Sequence, residues 1–376
     1  MTIRILALVG DCYGARGGIS RYNQDLFESL AGGGAELLVL PRRGDATAAE
    51  PPSGIRQWRP IFNRGYYSLA SLWAAWCHRP VDIVFCGHVY MAPLAWTLAR
   101  LFKARLWLQT HGIDIWSPQS GLKRTAIEGA DLVTAVSRMT RQRLLEWSDL
   151  APDRVRVLPN TVRDTFTPGP AAPGYRARLG IGDGPVILTV GRLASTERSK
   201  GHEAIFALLP DLRQRVPGLV YLIAGEGDDL PRLEQRARNL GLGPDSVRFL
   251  GYVPDEELPD VYRLADLFVM PSSTEGFGIV YLEAAACGLR VVGGAADGSA
   301  DAIQDPRVGT TVDPGNRDAL LAAVLAGLAA GRVDPAVIEP YRRPHFARVA
   351  RLLLSELMGD YPRAGGLHIR IDGVRR

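Results

Sequence analysis

The sequence predicts an α/β protein with two doubly wound domains, each built on a parallel sheet. Short apolar runs of strand length alternate with helical patterns in both halves of the chain. Residues 165–173 are rich in proline, glycine and alanine and separate the two alternations, so they are the expected linker. The length of 376 residues suits two domains of ordinary size.

In the first half, six apolar runs are typical of buried parallel strands, and helical patterns separate most of them. The clearest helix carries Ile19, Tyr22, Leu26 and Leu30 on one stripe and ends at three successive glycines, which supply a C-terminal cap. The six expected strands cover residues 3–9, 36–40, 81–86, 105–109, 132–136 and 155–158.

The second half repeats this organisation. Each half begins with a strand, a glycine-rich loop and a helix, so we expect two Rossmann-like domains that face each other across a cleft at the carboxyl ends of their strands. Residues 341–357 then form one long amphipathic helix with a basic face, and residues 367–374 alternate briefly within a tail. The expected strands cover residues 186–190, 220–224, 247–250, 267–270, 291–292 and 309–312.

Composition limits the class of protein. A hydrophobic share of 47% with 22% charged residues allows each domain a proper core, and a formal net charge of +4 does not indicate nucleic-acid binding. The four cysteines have no metal-ligand or disulfide spacing, so a reducing cytoplasm is the simplest location. The longest apolar stretches, residues 66–77 and 319–330, are shorter than the ~20 residues that span a bilayer.

One segment indicates a chemistry. Glu275 and Glu283 stand eight residues apart, and the turn Gly276-Phe277-Gly278 between them is expected to open a helix at Ile279. Backbone N–H groups at such a turn bind phosphate, while the two carboxylates accept hydrogen bonds from hydroxyls on either side of it. The ligand described is a diphosphate between two polyols, as in a nucleotide sugar. The alternative is an ordinary helix N-terminus with a surface glutamate in its second turn.

Other candidates follow strands at the same edges. Arg192 and Lys200 are placed to neutralise a diphosphate, although both also suit a solvated loop. Gly17 and Gly18 open the first helix and are weak evidence for a second phosphate contact. His111 suits a sugar hydroxyl, although a single histidine at a strand end is more often structural. Candidate walls for a nucleobase come from the turns at Gly225 and Val253.

Taken in order, these motifs resemble a family 4 (GT4) glycosyltransferase of the GT-B superfamily. The resemblance includes the Gly17-Gly18 loop, His111-Gly112, Val190-Gly191-Arg192, Lys200-Gly201 and the Glu275/Glu283 pair, and it spans most of the chain. It implies a first domain of residues 1–164 that binds acceptor, a second of residues 165–341 that binds donor, and a helix of about residues 342–362 that returns to the first. Residues 363–376 are then a tail.

The resemblance also implies residue roles: Glu275 binds the donor sugar, Glu283 the ribose, Arg192 and Lys200 the diphosphate, and His111 the sugar near the reacting carbon. It implies retention of anomeric configuration and no divalent metal. The segment between Arg192 and Lys200 is longer than usual for the family, so Arg198 is an alternative to Lys200. The expected function is transfer of a hexose, with GDP-mannose as a guess, to a saccharide or lipid-linked saccharide in cell-surface polysaccharide or glycoconjugate synthesis. No cofactor is expected beyond the nucleotide sugar.

Three other functions remain open. A nucleotide-sugar epimerase or hydrolase would have the same two-domain architecture. A binding module without catalysis would use the same carboxylates and cations to hold the nucleotide sugar. A dehydrogenase is disfavoured because no G-x-G-x-x-G follows either first strand. The aromatic and basic residues at 58–67 and 72–76 suggest a peripheral contact with the inner face of the cytoplasmic membrane. An ordinary helix with tryptophans in the core is the favoured interpretation of that pattern.

Overall fold

The computed structural model describes residues 2–15, 17–45 and 50–359, and the chain divides into two compact units. The first unit comprises Met1–Thr161 and Arg343–Arg376, and the second comprises Val162–Arg342. The expected tail at residues 363–376 and the last three residues expected in the final helix lie outside the described residues.

The first unit contains a seven-stranded sheet in which every neighbouring pair is parallel, in the order β3-β2-β1-β4-β5-β6-β7. Its strands are β1 (Arg4–Val9), β2 (Glu36–Pro41), β3 (Ile55–Gln57), β4 (Ile83–Cys86), β5 (Arg105–Thr110), β6 (Leu132–Ala135) and β7 (Val155–Val157). Its first helices are α1 (Gly18–Ala31), α2 (Arg64–Cys77), α3 (Ala92–Phe102), α4 (Gly121–Glu128) and α5 (Arg138–Trp147).

The second unit contains a six-stranded parallel sheet in the order β10-β9-β8-β11-β12-β13. Its strands are β8 (Val186–Val190), β9 (Val220–Ala224), β10 (Val247–Gly251), β11 (Leu267–Met270), β12 (Arg290–Gly294) and β13 (Gly309–Val312). Its helices are α6 (Tyr175–Arg178), α7 (His202–Arg215), α8 (Leu230–Asn239), α9 (Leu258–Leu264), α10 (Ile279–Ala286), α11 (Ser299–Ala302) and α12 (Arg317–Ala329).

Both sheets have the doubly wound strand order. In each unit the first strand lies between the second and the fourth, so the chain reverses its direction of winding there: at β1 and β4 in the first unit, and at β8 and β11 in the second. Loops that leave the carboxyl ends of these two strands diverge and open a crevice, which is where such sheets bind ligands. The predicted fold class is confirmed.

The final helix, α13 (Arg343–Met358), belongs to the first unit and packs on α1. The rings of Tyr22 and Phe346 meet edge to face at 5.8 Å, and Arg351 Nε donates to the carbonyl oxygen of Ser29 at 2.9 Å. This is the crossover helix of the expected fold. In the part of the chain that the structure describes, no helix combines the length and apolarity needed to cross a bilayer.

The expectation that α2 carries its tryptophans into the core is wrong. Trp73 and Trp76 are 63% and 58% exposed. The helix instead packs through Tyr67, Ala74 and Ala75, and the Tyr67 hydroxyl donates to the carbonyl oxygen of Leu40 at 2.7 Å. Small residues on the inner side bring the helix close to the sheet and leave the large rings on the outer side.

Candidate active site

An ion pair lies at the carboxyl edge of the second sheet. Lys200 follows β8 and Glu275 follows β11, and these adjacent parallel strands deliver their loops to the same edge. Lys200 Nζ lies 2.5 Å from Glu275 Oε1, with the two side chains only 12% and 19% exposed. Two residues singled out from separate motifs are therefore in direct contact at the point where the winding reverses.

A buried carboxylate fixes the loop that carries Glu275. Asp297 Oδ2 accepts from the Glu275 backbone N–H at 2.7 Å, and Oδ1 accepts from the Ser299 N–H at 2.9 Å. The Gly298 N–H also donates to the Glu275 carbonyl at 2.8 Å, and a Cβ at Gly298 would overlap the Gly276 carbonyl oxygen. Burial raises the pKa of Asp297. Sequence reasoning missed Asp297, although a carboxylate inside a glycine-rich loop after a strand was a usable signal.

The turn between the two glutamates forms as predicted. Gly278 has φ +83° and serves as the N-cap of α10, which begins at Ile279. Phe277 is buried with its ring centroid 6.1 Å from that of Tyr341, while Gly276, Gly278 and Ile279 are half-exposed. The first N–H groups of a helix have no intrahelical acceptor, so this turn presents donors suited to an anion.

Glu283 is fully buried in the second turn of α10, and the alternative of a surface glutamate is wrong. Its side chain accepts a hydrogen bond from the Tyr262 hydroxyl at 2.8 Å. Glu283, the residue predicted to bind the ribose, is thus held in place by the core of the second unit.

The two arginines after β8 are paired with acids of their own. Arg192 pairs with Glu197 in the same loop, and the Arg192 side chain is 68% exposed. Arg198 Nε lies 3.1 Å from Asp229 Oδ1, and Arg232 holds both oxygens of that carboxylate at 2.7 Å. The geometry favours Lys200 over Arg198 as the cation beside Glu275.

The candidate nucleobase walls lie at the same edge of the sheet. Gly225, directly after β9, donates its N–H to the Gly251 carbonyl at 2.8 Å, and a Cβ there would overlap the Gly191 carbonyl oxygen. With φ +147°, this position needs glycine so that the ends of β8 and β9 can approach. Val253 is half-exposed in the loop after β10.

His111 lies at the end of β5 in the first unit. Its Nε2 is 3.0 Å from the Gly87 carbonyl oxygen. A carbonyl only accepts, so Nε2 carries the proton and Nδ1 is left as an acceptor. Burial lowers the pKa of His111 to about 3, which keeps the ring neutral at neutral pH. Its backbone N–H donates to Asp114 Oδ1 at 3.1 Å, and burial raises the pKa of Asp114 to about 7.

The other first-unit candidates lie at the ends of β1 and β4. Helix α1 begins at Gly18, and Gly17 before it has φ +113°, a conformation that favours glycine. His88, which sequence reasoning missed, follows β4 with its ring centroid 6.3 Å from that of His111. Burial lowers the pKa of His88 to about 4.

Comparison with known proteins identifies the family. The sequence profile described as Glycosyltransferase Family 4 matches residues 16–166, and that described as Glycosyl transferases group 1 matches residues 173–331. A GDP-mannose-dependent alpha-(1-6)-phosphatidylinositol monomannoside mannosyltransferase of Mycobacterium tuberculosis H37Rv is 31% identical over 343 residues, covering 85% of this chain and 88% of that protein. The chain belongs to glycosyltransferase family 4. The protein of the same description from Mycolicibacterium smegmatis is 37% identical over 257 residues, covering 65% of this chain and 66% of that relative.

Solved structures agree with the fold of this glycosyltransferase. Sucrose-phosphate synthase from Thermosynechococcus elongatus superimposes with a TM-score of 0.77 at 23% identity, covering 95% of this chain and 100% of that one. Anabaena HepE in complex with UDP and glucose superimposes with a TM-score of 0.74 at 20% identity, covering 94% of this chain and 100% of that one. These structures show the GT-B fold. The family profiles and the mannosyltransferase relatives show that the chain is a hexose-transferring glycosyltransferase, so the epimerase and binding-module alternatives are not favoured.

Proposed function

We propose that this glycosyltransferase moves mannose from GDP-mannose to a lipid-linked saccharide acceptor, with retention of anomeric configuration and without a divalent metal. The observation that supports the substrates best is the likeness to the mycobacterial mannosyltransferase along 85% of the chain. A D-inositol 3-phosphate glycosyltransferase from Geodermatophilus obscurus is 38% identical, but over 55% of this chain and 48% of that protein. D-inositol 3-phosphate, the substrate in that protein's name, is the second acceptor to test.

The residue roles follow the charges at the edge of the second sheet. Lys200 and Arg192 neutralise the donor diphosphate, with help from the N–H groups at Gly276 to Ile279. Glu275, held beside Lys200, accepts hydrogen bonds from the sugar hydroxyls, and Glu283 binds the ribose. In the first unit, His111 offers its Nδ1 lone pair to a hydroxyl group of the sugar.

The proposed chemistry needs no nucleophile from the enzyme. The bond between the sugar carbon and the diphosphate oxygen breaks while the acceptor oxygen bonds to that carbon from the same face. The acceptor proton leaves with the diphosphate. Fixed cations and backbone dipoles stabilise the negative charge that accumulates on the leaving group. A divalent metal would stabilise the same charge.

A ligand screen followed by a transfer assay tests the proposal. Thermal unfolding with a panel of guanosine and uridine diphosphate sugars identifies the donor, and GDP-mannose is expected to give the largest stabilisation. Radiolabelled donor is then offered with phosphatidylinositol monomannoside, with inositol 3-phosphate, or alone. We expect transfer to the lipid-linked acceptor, and we expect EDTA to leave its rate unchanged. With donor alone, little free sugar should be released.

Two variants connect the reaction to the site. Arg192→Ala and Glu275→Ala should each lower the transfer rate about 100-fold or more while the protein stays folded. Arg215→Ala, which changes an exposed arginine of α7, is the matched control. Transfer at the parental rate by either site variant would contradict the assigned roles. Inversion at the sugar carbon, read from the one-bond C1–H1 coupling of the product, would contradict the proposed stereochemistry.

A further inference from the structure

An apolar surface lies on the outer side of α2. It consists of Phe62, Tyr66, Leu69, Trp73 and Trp76, which are 68%, 71%, 66%, 63% and 58% exposed, and we call it the α2 patch. Of the thirteen large apolar side chains exposed in residues 2–15, 17–45 and 50–359, six lie between Phe62 and Trp76. Scattered exposed apolar residues need no explanation, but such a concentration within residues 62–76 indicates a binding surface.

The α2 patch is separate from the side of the helix that packs on the core. The buried residues of α2 are Tyr67, Ser71, Ala74 and Ala75. At about 100° per residue they form one stripe, and the α2 patch forms a second stripe on nearly the opposite side. The core therefore leaves these aromatic rings uncovered.

The segment of chain that contains the α2 patch carries mostly positive charge. Residues 51–113 contain six arginines and one lysine, with Asp82 as the single acidic residue. That carboxylate accepts the Arg4 backbone N–H at 2.8 Å. Arg59 and Arg64 are exposed and stand three and two residues from Phe62 along the chain, and the Arg79 guanidinium lies 3.6 Å from the centre of the Trp76 ring.

We propose that the α2 patch docks this protein onto an anionic lipid bilayer. Tryptophan and tyrosine are the residues enriched at the boundary between hydrocarbon and headgroup, and nearby arginines are attracted to anionic headgroups. The rings enter the boundary while the arginines contact lipid phosphates, so α2 lies along the surface. The choice of a bilayer over a protein partner rests partly on the proposed lipid-linked acceptor, which must be taken from a membrane.

Vesicle flotation without donor or acceptor tests the docking, so its outcome is independent of the transfer assay. The parental protein should float with vesicles of phosphatidylglycerol and phosphatidylcholine at low salt, and less with phosphatidylcholine alone. Trp73→Ser/Trp76→Ser should weaken binding at least about tenfold, because each lost ring removes apolar area from the boundary. Leu240→Ser/Leu352→Ser removes two exposed apolar residues elsewhere and should leave binding unchanged.

Charge reversal tests the electrostatic part. Arg59→Glu/Arg64→Glu should weaken binding to anionic vesicles at least about tenfold and flatten its salt dependence. Arg215→Glu/Arg236→Glu makes the same change in net charge on exposed arginines of α7 and α8 and should have little effect. Circular dichroism and thermal unfolding confirm that each variant is folded.

Three results would overturn the docking surface. The parental protein does not float with anionic vesicles at low salt; the tryptophan double variant floats as well as its leucine control; or sedimentation shows self-association of the parental protein that Trp73→Ser/Trp76→Ser abolishes. The last result would make the α2 patch an interface between copies of this chain.

Discussion

The two variants that break the Lys200–Glu275 ion pair should affect nucleotide binding differently. In the proposed complex the Lys200 ammonium group pairs with the diphosphate, while Glu275 binds the sugar. Lys200→Met removes the cation, so the affinity for GDP falls. Glu275→Gln removes the anion that competes for the same ammonium group, so the affinity for GDP is kept or rises while sugar transfer is lost.

The size of the effect follows from the geometry. A hydrogen bond to a charged group contributes about 1.5–3 kcal/mol, which corresponds to a Kd about 10- to 150-fold weaker for Lys200→Met. Removing one partner of a buried ion pair costs about 3–5 kcal/mol. Because the two side chains keep 12% and 19% exposure, we expect the lower end, about 3 kcal/mol, and a Tm lowered by about 6–12 °C for either single variant.

Calorimetric titration with GDP and thermal unfolding of the free protein measure both quantities. The double variant Lys200→Met/Glu275→Gln should recover much of the lost stability, because it leaves no unpaired buried charge. Arg215→Met is the control and should keep parental GDP binding. If Glu275→Gln weakens GDP binding by the same factor as Lys200→Met, the two side chains do not divide the ligand as proposed.

Three further variants test other parts of the second unit. Asp297→Asn weakens the support of the Glu275 loop and should raise the KM for the donor about 5- to 30-fold, since about 1–2 kcal/mol of hydrogen bonding to the loop is lost; an unchanged KM would mean that the loop holds its position without this carboxylate. Gly225→Ala should lower the Tm strongly because its Cβ overlaps the backbone, whereas Gly182→Ala, with open space around its Cβ, should leave the Tm nearly unchanged; equal Tm values in thermal scans of both variants would contradict the backbone argument. Burial, together with the charge of Lys200, lowers the pKa of His202 to about 4. Between about pH 6.5 and pH 4 the unfolded chain therefore binds a proton at this residue that the folded protein does not, and the free energy of unfolding falls as the pH drops through this range. His202→Gln should reduce that loss by about 2–3 kcal/mol in denaturant titrations at the two pH values, and an identical pH slope would show that His202 is not responsible.

Most strands could be predicted because buried parallel strands are continuous apolar runs. The run at residues 220–224 matches β9 residue for residue. β3 was missed because it has three residues and pairs only with β2, so its single buried side chain, Ile55, leaves no pattern. In α2 the exposed side carries apolar residues just as the buried side does, so the pattern of apolar residues did not reveal which side faces the core.

The site could be predicted at the level of motifs, while its pairings depend on tertiary structure. The distance along the chain from Arg192 left two candidate cations, and the approach of the β8 and β11 loops decides that Lys200 is the one beside Glu275. Asp297 accepts the backbone N–H of Glu275 from another loop, a relation that no local spacing encodes. The burial of Glu283 likewise depends on Tyr262 from a different helix.

The electrostatics of the two units support the proposed assignment of ligands. In the first unit, burial lowers the pKa of His111 to about 3 and that of His88 to about 4, so at neutral pH these two rings present hydrogen-bonding atoms without a fixed charge. Uncharged hydroxyls are the ligands that gain most there, because a fixed charge would be desolvated without a partner. The second unit instead supplies an ammonium group beside a helix N-terminus, which favours a diphosphate. A charged acceptor group near His111 is therefore expected to bind poorly unless its charge stays in solvent. In the transfer assay, methyl mannoside should compete with the acceptor, whereas inorganic phosphate should not; competition by phosphate for the acceptor would contradict this assignment.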